Sequence, residues 1–395
     1  MPKGNLISGL DIGTSSVKIL LASKNPQSKA LEIISQSEVE NSGMRKGVVI
    51  NVIEVSRKIR EAVGFCQEGL DKKVNSVVVN INGSHLAFIP SRGLVSVSRA
   101  DQKISDADVD RALQASRTIS LSANQEILET LAQEFVIDGQ AGIKEAEGLR
   151  GIRLEAKTLC LTAFTPYLKN LTEAVLGADL EIEHVLASIQ ASSEAVLDQK
   201  EKELGVAVID VGAGTTGLAV FEEGNLISAS VFPLGSNNIT NDIAIVLKTE
   251  IEEAEKIKKE FTGFSSRRVG KKTRAGQEFS QKTLARVIEA RTREIFGEIS
   301  KELKRINKTK LPAGVVLTGG GAKLLGIIDF ARKELKLHCR LGLPAGFSPG
   351  LEDSSWSAVA GLVLEGAKIY NDEGLSFSEK GVFKKIKGIF KTFIP

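Results

Sequence analysis

Histidine and cysteine are scarce in this chain, and no long apolar run interrupts it. His85, His184 and His338 lie far apart without metal-ligand spacing, which argues against a histidine metal centre and against imidazole-based catalysis. Cys66, Cys160 and Cys339 are isolated and odd in number, so they read as buried small residues of a reducing compartment, not as a disulfide framework. No apolar stretch approaches the roughly 20 residues of a membrane span. The pattern G-x-x-x-x-G-K-[ST] does not occur, which removes the P-loop nucleotide hydrolases. Met1-Pro2-Lys3-Gly4-Asn5 leads straight into an apolar run, so no secretion leader is expected. What remains is ordinary for a globular protein: 395 residues, 42% hydrophobic and 26% charged, enough for two or three domains.

Acidic residues are missing from one place. Residues 380–395 hold five lysines and no acid, and outside that segment 47 basic residues face 49 acidic ones. The formal charge of +3 therefore belongs to the tail. A local anionic partner such as a membrane fits this distribution, and a nucleic-acid-binding body does not.

The chain is organised around residues 206–220, VAVIDVGAGTTGLAV. A β-branched run predicts a buried strand that ends at Asp210. A small-residue turn follows, Gly212-Ala213-Gly214-Thr215-Thr216, through which backbone N–H groups and hydroxyls can approach an anion. Asp210 stands where a carboxylate could hold a phosphate-bound Mg²⁺. The stretch also satisfies G-x-G-x-x-G, but a dinucleotide fold needs a helix after the last glycine. Here LAVFEEGNLISASVF follows, which reads as strand, turn, strand. A bare hairpin turn with no ligand is the plain alternative. That alternative weakens because residues 6–22, LISGLDIGTSSVKILLA, repeat the device: an apolar run, Asp11, then Gly13-Thr14-Ser15-Ser16, then a strand carrying Lys18. Two such units suggest two related domains gripping one nucleotide from opposite sides.

LDIGTSSVK and VIDVGAGTT resemble the paired phosphate signatures of the superfamily of actin, heat-shock chaperones and hexokinase, and VVLTGGGAKLL (315–325) is similar to its adenosine motif. Within that superfamily the whole chain resembles the FtsA family of bacterial division proteins, which tether FtsZ to the membrane. The resemblance implies a two-lobed α/β fold of the actin-like, duplicated ribonuclease H-like kind, binding ATP and Mg²⁺. Asp11 and Asp210 would position the metal. Gly13, Thr14, Ser15, Lys18, Gly212, Gly214, Thr215 and Thr216 would hold phosphates. Gly319, Gly320, Gly321 and Ala322 would lie on the adenosine side, where a helix N-terminus beginning near Lys323 would favour an anion. Glu255 and Lys258, in the charged helix EIEEAEKIKKEF, would contact adenine. The implied division is 1–83 with 164–203 as subdomain 1A, 204–247 with 310–370 as 2A, and 248–309 as 2B.

Residues 84–163 carry no phosphate or metal signature. Short strands are expected at 93–97, 135–137 and 152–164, and Ser105-Asp106-Ala107-Asp108 reads as a capping box opening a helix through Arg117. The segment reads as an interaction subdomain, and the family resemblance makes it subdomain 1C, an SHS2-like insertion serving self-association into filaments and other divisome proteins. In actin-like ATPases a Glu or Gln at the start of the helix in SIQASSEAVL positions the attacking water. Ser188 stands there, Gln190 is misdirected and Glu194 lies one turn on. No catalytic residue is assigned, and at most weak ATPase activity is expected. The stretch 263–277, GFSSRRVGKKTRAGQ, reads as an exposed basic loop. In helix 281–305 the family resemblance makes Lys282, Arg286 and Arg291 receptors for the acidic FtsZ C-terminal tail, ARxxEI around Arg291 being closely matched.

After a polar linker (371–379) comes KGVFKKIKGIFKTFIP. Val382, Phe383, Ile386, Ile389, Phe390, Phe393 and Ile394 fall on one face at helical period, with Lys384, Lys385, Lys387 and Lys391 on the other. A basic amphipathic helix lying in the headgroup plane fits better than a helix docked on the protein's own core. The expected location is the cytoplasmic face of the cell membrane at the septum. The alternatives are a PilM-like pilus protein, an MreB-like filament and, less well supported, a sugar kinase, whose carboxylate base and polar sugar ligands are not found.

Overall fold

The computed structural model describes residues 6–24, 30–264, 271–272 and 278–372. The tail at 380–395, the linker from Glu373 onward and most of the basic stretch 263–277 lie outside them. No helix of the described residues is long and apolar enough to cross a membrane.

The first lobe begins with β1 (Leu6–Ile12), β2 (Ser16–Lys24) and β3 (Leu31–Glu40), then a short hairpin of β4 (Met44–Arg45) and β5 (Val48–Val49), α1 (Val52–Gln67) and β6 (Ser76–Ile81). Asn51 caps α1, its side chain accepting from the Glu54 N–H at 3.1 Å. An insertion follows: β7 (Ala87–Ser96), α2 (Asp106–Ser116), β8 (Gln125–Ile137), β9 (Gln140–Ile143) and β10 (Arg153–Phe164). The chain re-enters the lobe as α3 (Thr165–Leu176), β11 (Glu181–Ala187), α4 (Ser188–Val196) and α5 (Gln199–Leu204).

The second lobe holds β12 (Val206–Val211), β13 (Thr216–Glu222), β14 (Asn225–Phe232), α6 (Ser236–Leu247), α7 (Ile251–Lys259), the short strands β15 (Lys271–Lys272) and β16 (Glu278–Phe279), and α8 (Gln281–Arg305). Then come β17 (Val315–Thr318), α9 (Ile327–Leu335), β18 (Cys339–Leu341), β19 (Phe347–Ser348) and α10 (Ser357–Asp372).

The sheet orders show the duplication. One sheet runs β11-β6-β1-β2-β3-β19, the other β18-β17-β12-β13-β14. In both, an antiparallel three-stranded meander carries two parallel strands on its first member. The apolar runs become central strands buried on both faces, as in VKILLA of β2 and VAVI of β12. The insertion makes its own four-stranded sheet, β7-β10-β8-β9, over a separate small core of Ile104, Ala112, Phe135, Ile137 and Leu154. The Ser105 capping box forms as expected, Asp108 standing at its third position. β8 is far longer than the expected 135–137 strand, because it pairs along nearly the whole of β10.

Two helices fall outside the expected division. α10, grouped with 2A in the sequence reading, lies against β1, β2 and β6 of the first lobe, and Val359, Ala360 and Val363 join that core. Gly361 lets it cross α4 backbone to backbone: a Cβ there would sit 1.8 Å from the Ala191 carbonyl oxygen. α6 shares a core with α7 and the first half of α8, through Ile239, Ile243, Ile257, Leu284 and Ile288. The second half of α8 packs on the second sheet through Phe296, Ile299 and Leu303.

Candidate functional site

The two predicted hairpin turns are copies in atomic detail. The Gly13 N–H donates to the Ser16 carbonyl at 2.9 Å, and the Gly212 N–H donates to the Thr215 carbonyl at 2.9 Å. Both strands deliver an aspartate to the turn, and Lys18 stands directly across the hairpin from Asp11. The tips meet: a Cβ on Gly214 would sit 2.7 Å from the Thr14 Oγ1 of the other lobe, so any side chain there would have to turn Thr14 aside or part the tips. Asn82 of the first lobe donates to Thr215 Oγ1 at 3.1 Å, and the Gly47 N–H donates to Thr14 Oγ1 at 3.1 Å. Between the lobes lies a cleft of about 1380 Å³.

Asp11, Gly13, Thr14, Ser15, Lys18, Asp210, Gly212, Gly214, Thr215, Glu255, Lys258, Gly319, Gly320 and Gly321 all line this cleft. Thr216 and Ala322 do not. Thr216 is fully buried and its hydroxyl donates to the Leu234 carbonyl at 2.8 Å, so it anchors the strand after the turn. Ala322 packs into the second core. The glycine stretch also differs in form from the expected helix start. Gly320–Lys323 is a single 3₁₀ turn, and α9 begins only at Ile327, after Gly326 in a left-handed conformation (φ +85°). What the glycines supply is proximity: a Cβ on Gly319 would fall 2.2 Å from Asp210 Oδ1, and its φ of +85° suits no L side chain.

The two aspartates are poor anions as they stand. Burial pushes Asp11 up to about 6; Lys18 pulls against this, while Asp210 and Glu38 add to it. Burial also raises Asp210, against the bond donated by the Ser192 hydroxyl to its Oδ2 and the pull of Lys18. Asp11 Oδ1 accepts from Asn80 Nδ2 at 2.6 Å, and that amide also donates to Ser188 Oγ at 2.9 Å. Two under-neutralised carboxylates facing one cleft fit a hard divalent cation that keeps water and phosphate oxygens as its remaining ligands. Among the described residues no cluster of three or more His, Cys, Asp or Glu forms an all-protein metal cage.

Lys18 is 7% exposed. Its ammonium donates to the Ser355 carbonyl at 2.6 Å, lies 3.6 Å from Glu38, and sits 5.6 Å from the ring centre of Trp356. The Asp353–Ser355 segment ties this lysine to the third glycine loop. The Gly319 N–H donates to the Ser354 carbonyl at 3.1 Å, Ser354 Oγ donates back to Gly319 O at 3.0 Å, and Lys323 pairs with Asp353 at 2.7 Å. On the α6–α7 wall of the cleft Thr240, Glu255 and Lys258 form one unit: Thr240 Oγ1 donates to Glu255 Oε2 at 2.6 Å and accepts from Lys258 Nζ at 2.8 Å. Burial works against the Glu255 charge, yet the Lys258 and Thr240 bonds hold it below the usual carboxylate range.

Ser188 lines the cleft, but its hydroxyl is taken up by Asn80 and, at 3.4 Å, by the Ile81 carbonyl. Gln190 faces away from the cleft, donating to Glu129 Oε2 of the insertion at 3.0 Å. Glu194 binds Lys202 at 2.7 Å and also Lys368. Lys282 and Arg286 are exposed on α8. Arg291 is committed internally: its Nε and Nη2 donate to both oxygens of Asp242 on α6, at 2.7 and 2.9 Å, and its Nη1 donates to Glu294 at 2.5 Å. Asn80, Ser192, Ser354 and Ser355 were not singled out by the sequence reading. Only Asn80 left a trace there, as a polar residue inside the buried run VVVNI.

Residues 207–361 match the family described as Cell division protein FtsA, and residues 83–162 match the SHS2 domain inserted in FTSA. The chain is 34% identical over 391 residues to the cell division protein FtsA of Pseudomonas aeruginosa, covering 96% of this chain and 93% of that one. The Bacillus subtilis FtsA is 34% identical over 372 residues, with 92% and 84% covered. Among solved structures, the PilM–PilN type IV pilus biogenesis complex aligns at a TM-score of 0.66 and 18% identity, covering 91% of this chain and 98% of that one. MreB 5 of Spiroplasma citri bound to AMPPNP aligns at 0.52 and 13%, covering 95% and 100%. These structural likenesses are ones of fold, and the fold is actin-like.

Proposed function

The chain belongs to the FtsA family of cell division proteins, and from that premise we propose that it binds ATP and Mg²⁺ in the cleft and ties FtsZ filaments to the inner face of the cytoplasmic membrane at the septum. The observation that carries the nucleotide half is the convergence of two equivalent hairpins, each bringing an aspartate, over one cleft. The residues fit the group. Asp11 and Asp210 would hold the metal, Lys18 and the two Gly/Thr turns the phosphates, and Gly319–Gly321 the adenosine side. The bound metal would offset phosphate charge. Slow turnover is part of the proposal, because Ser188 is neither basic nor unengaged, and Gln190 and Glu194 face elsewhere. Calorimetry on the purified protein should show ATP binding that depends on Mg²⁺, with slow or negligible ADP release. No ATP affinity, or turnover of many per second, would sink this reading.

The partner half extends the family premise to α8, the insertion and the tail. The acidic FtsZ tail would dock on subdomain 2B, near Lys282 and Arg286. The insertion would serve head-to-tail filaments and other divisome proteins. The basic amphipathic tail would reach anionic lipid. Arg286→Glu should weaken binding of an FtsZ-tail peptide at least about tenfold, or roughly 1.4 kcal/mol, with ATP affinity unchanged. Arg291→Glu is a different kind of variant. It would face Asp242 and Glu294 with a third carboxylate and loosen α6 from α8, so its peptide affinity has to be measured beside its thermal midpoint. Wild-type peptide affinity in both variants would remove α8 as the docking helix.

A further inference from the structure

Helix α4 reaches three parts of the molecule within little more than one turn. Its first residue, Ser188, shares the Asn80 amide with Asp11 of the first lobe. Ser192, one turn on, donates to Asp210 of the second lobe. Gln190, between them and on the other side, donates to Glu129 on β8 of the insertion at 3.0 Å. The same helix is therefore tied to Asp210 directly, to Asp11 through Asn80, and to the inner edge of the inserted subdomain. It has little freedom to relax independently: Gly361 of α10 lies against the Ala191 carbonyl, and Ile189 fills the space above Gly217. The insertion has a second foothold on the opposite lobe, where Gln133, also on β8, donates to the Leu226 carbonyl of β14 at 3.0 Å.

We propose that α4 couples the loading of the Asp11–Asp210 pair to the pose of the inserted subdomain, with the Gln190–Glu129 contact as the joint. The proposal rests on the nucleotide reading given above. Asp11 and Asp210 would shift as their charge is offset on loading, and Asn80, Ser188 and Ser192, bonded to them or to one another, would carry that shift to α4. Packed helices shift as units, so Gln190 would move with them. The insertion spans both lobes through one strand, so a change in their relative position reaches it at two points. Coupling of this kind is reciprocal: what alters the joint also alters nucleotide affinity.

The joint itself is a polar contact left incomplete. Gln190 Oε1 is buried without a partner. Burial pushes Glu129 up to about 7, with the Gln190 bond pulling against it and Glu365 adding to it. A carboxyl in that range carries its proton much of the time near neutrality, and that hydroxyl is the donor that Oε1 lacks. A half-buried pair that is only partly satisfied has more than one arrangement of similar energy, which suits a contact that has to move.

Hydrogen exchange on the full chain, with and without ATP and Mg²⁺, tests this. In the wild type the nucleotide should slow exchange severalfold at the two hairpin turns, and should also change it severalfold along 125–137. In Gln190→Ala and Glu129→Ala the response at 125–137 should vanish while protection of the hairpins remains. Glu129→Gln keeps a hydrogen bond to Gln190 and should keep the response. A response that persists in both alanine variants overturns the proposal, as does wild-type nucleotide protection of the hairpins without any change at 125–137. So does loss of the response in Glu129→Gln together with Glu129→Ala. Absence of hairpin protection in the wild type would instead refute the nucleotide reading and take this inference with it. If Glu129→Ala does not fold, Gln190→Ala and Glu129→Gln decide the matter between them.

Discussion

Asp210→Asn should lower the Mg²⁺-dependent affinity for ATP by about 100-fold, or roughly 2.8 kcal/mol, while raising the thermal midpoint of the ligand-free protein. The two effects have one cause. Burial raises both Asp11 and Asp210 above the usual carboxylate range, and the charge of Asp210 adds to Asp11's difficulty in ionising. For an acid whose folded pKa lies above its unfolded one, the stabilising contribution is complete below the unfolded pKa and is lost as pH rises through the folded pKa. For Asp11 that window runs from about 3.8 to about 6, so at pH 7.5 the native state bears the full cost of that charge, and burial sets a cost of the same kind on a charge at Asp210. An asparagine at 210 removes one of them and can still accept from Ser192. It would also remove a charged oxygen from the proposed metal site, where a hard cation needs one. Titration with ATP in Mg²⁺, then in a chelator, separates the two: the loss should appear in the first and nearly disappear in the second. An unchanged Mg²⁺-dependent affinity would mean that Asp210 is not a metal ligand. A lower midpoint would mean that its charge is better compensated than its surroundings indicate.

That trade of stability for binding is legible in sequence only in part. The hairpins are local objects, and Asp11, Asp210 and their Gly/Thr turns were found because strand, carboxylate and turn are consecutive. The helix at 281–305 is legible to the residue, and its buried face runs at helical period through Leu284, Ile288, Thr292, Ile295, Ile299 and Leu303. What supports the aspartates is not local. Asn80 is 69 residues from Asp11 and Ser192 is 18 residues from Asp210, and their hydroxyl and amide groups look like any others until the sheets assemble. Thr216 was grouped with Thr215 although strand alternation sends it the other way, into the Leu234 carbonyl. The strand at 125–137 was hidden by composition. QEILETLAQ is rich in helix formers, and only its long pairing with β10 makes it a strand. α10 followed the second lobe in sequence, but its small residues suited a backbone crossing over α4 of the first. In each case the deciding contact is long-range, and a residue's type alone does not name its partner.

Phe390→Glu should release the protein from anionic vesicles without altering ATP binding. The residue lies outside the described part of the chain, so the expectation comes from pattern and energetics. At helical period, seven apolar residues of the tail would share one face. Half-burial in the headgroup region contributes roughly 1 kcal/mol each, about half of full burial. Lysines near an anionic leaflet add up to about 1 kcal/mol apiece. Ordering the helix costs roughly 1 kcal/mol or more per residue. The terms nearly cancel, so a single tail should bind weakly and reversibly. A carboxylate in place of a central phenylalanine removes one apolar contribution and adds repulsion from the leaflet, which is enough to end a marginal balance. Several tails on one filament present a high effective concentration to the same membrane, so attachment should also strengthen with assembly. Co-sedimentation with anionic vesicles, at protein concentrations below and above the onset of assembly, reads both effects. If Phe390→Glu pellets as well as the wild type, the tail is not the anchor. If wild-type binding is tight and independent of assembly, the near-cancellation is wrong and one tail suffices.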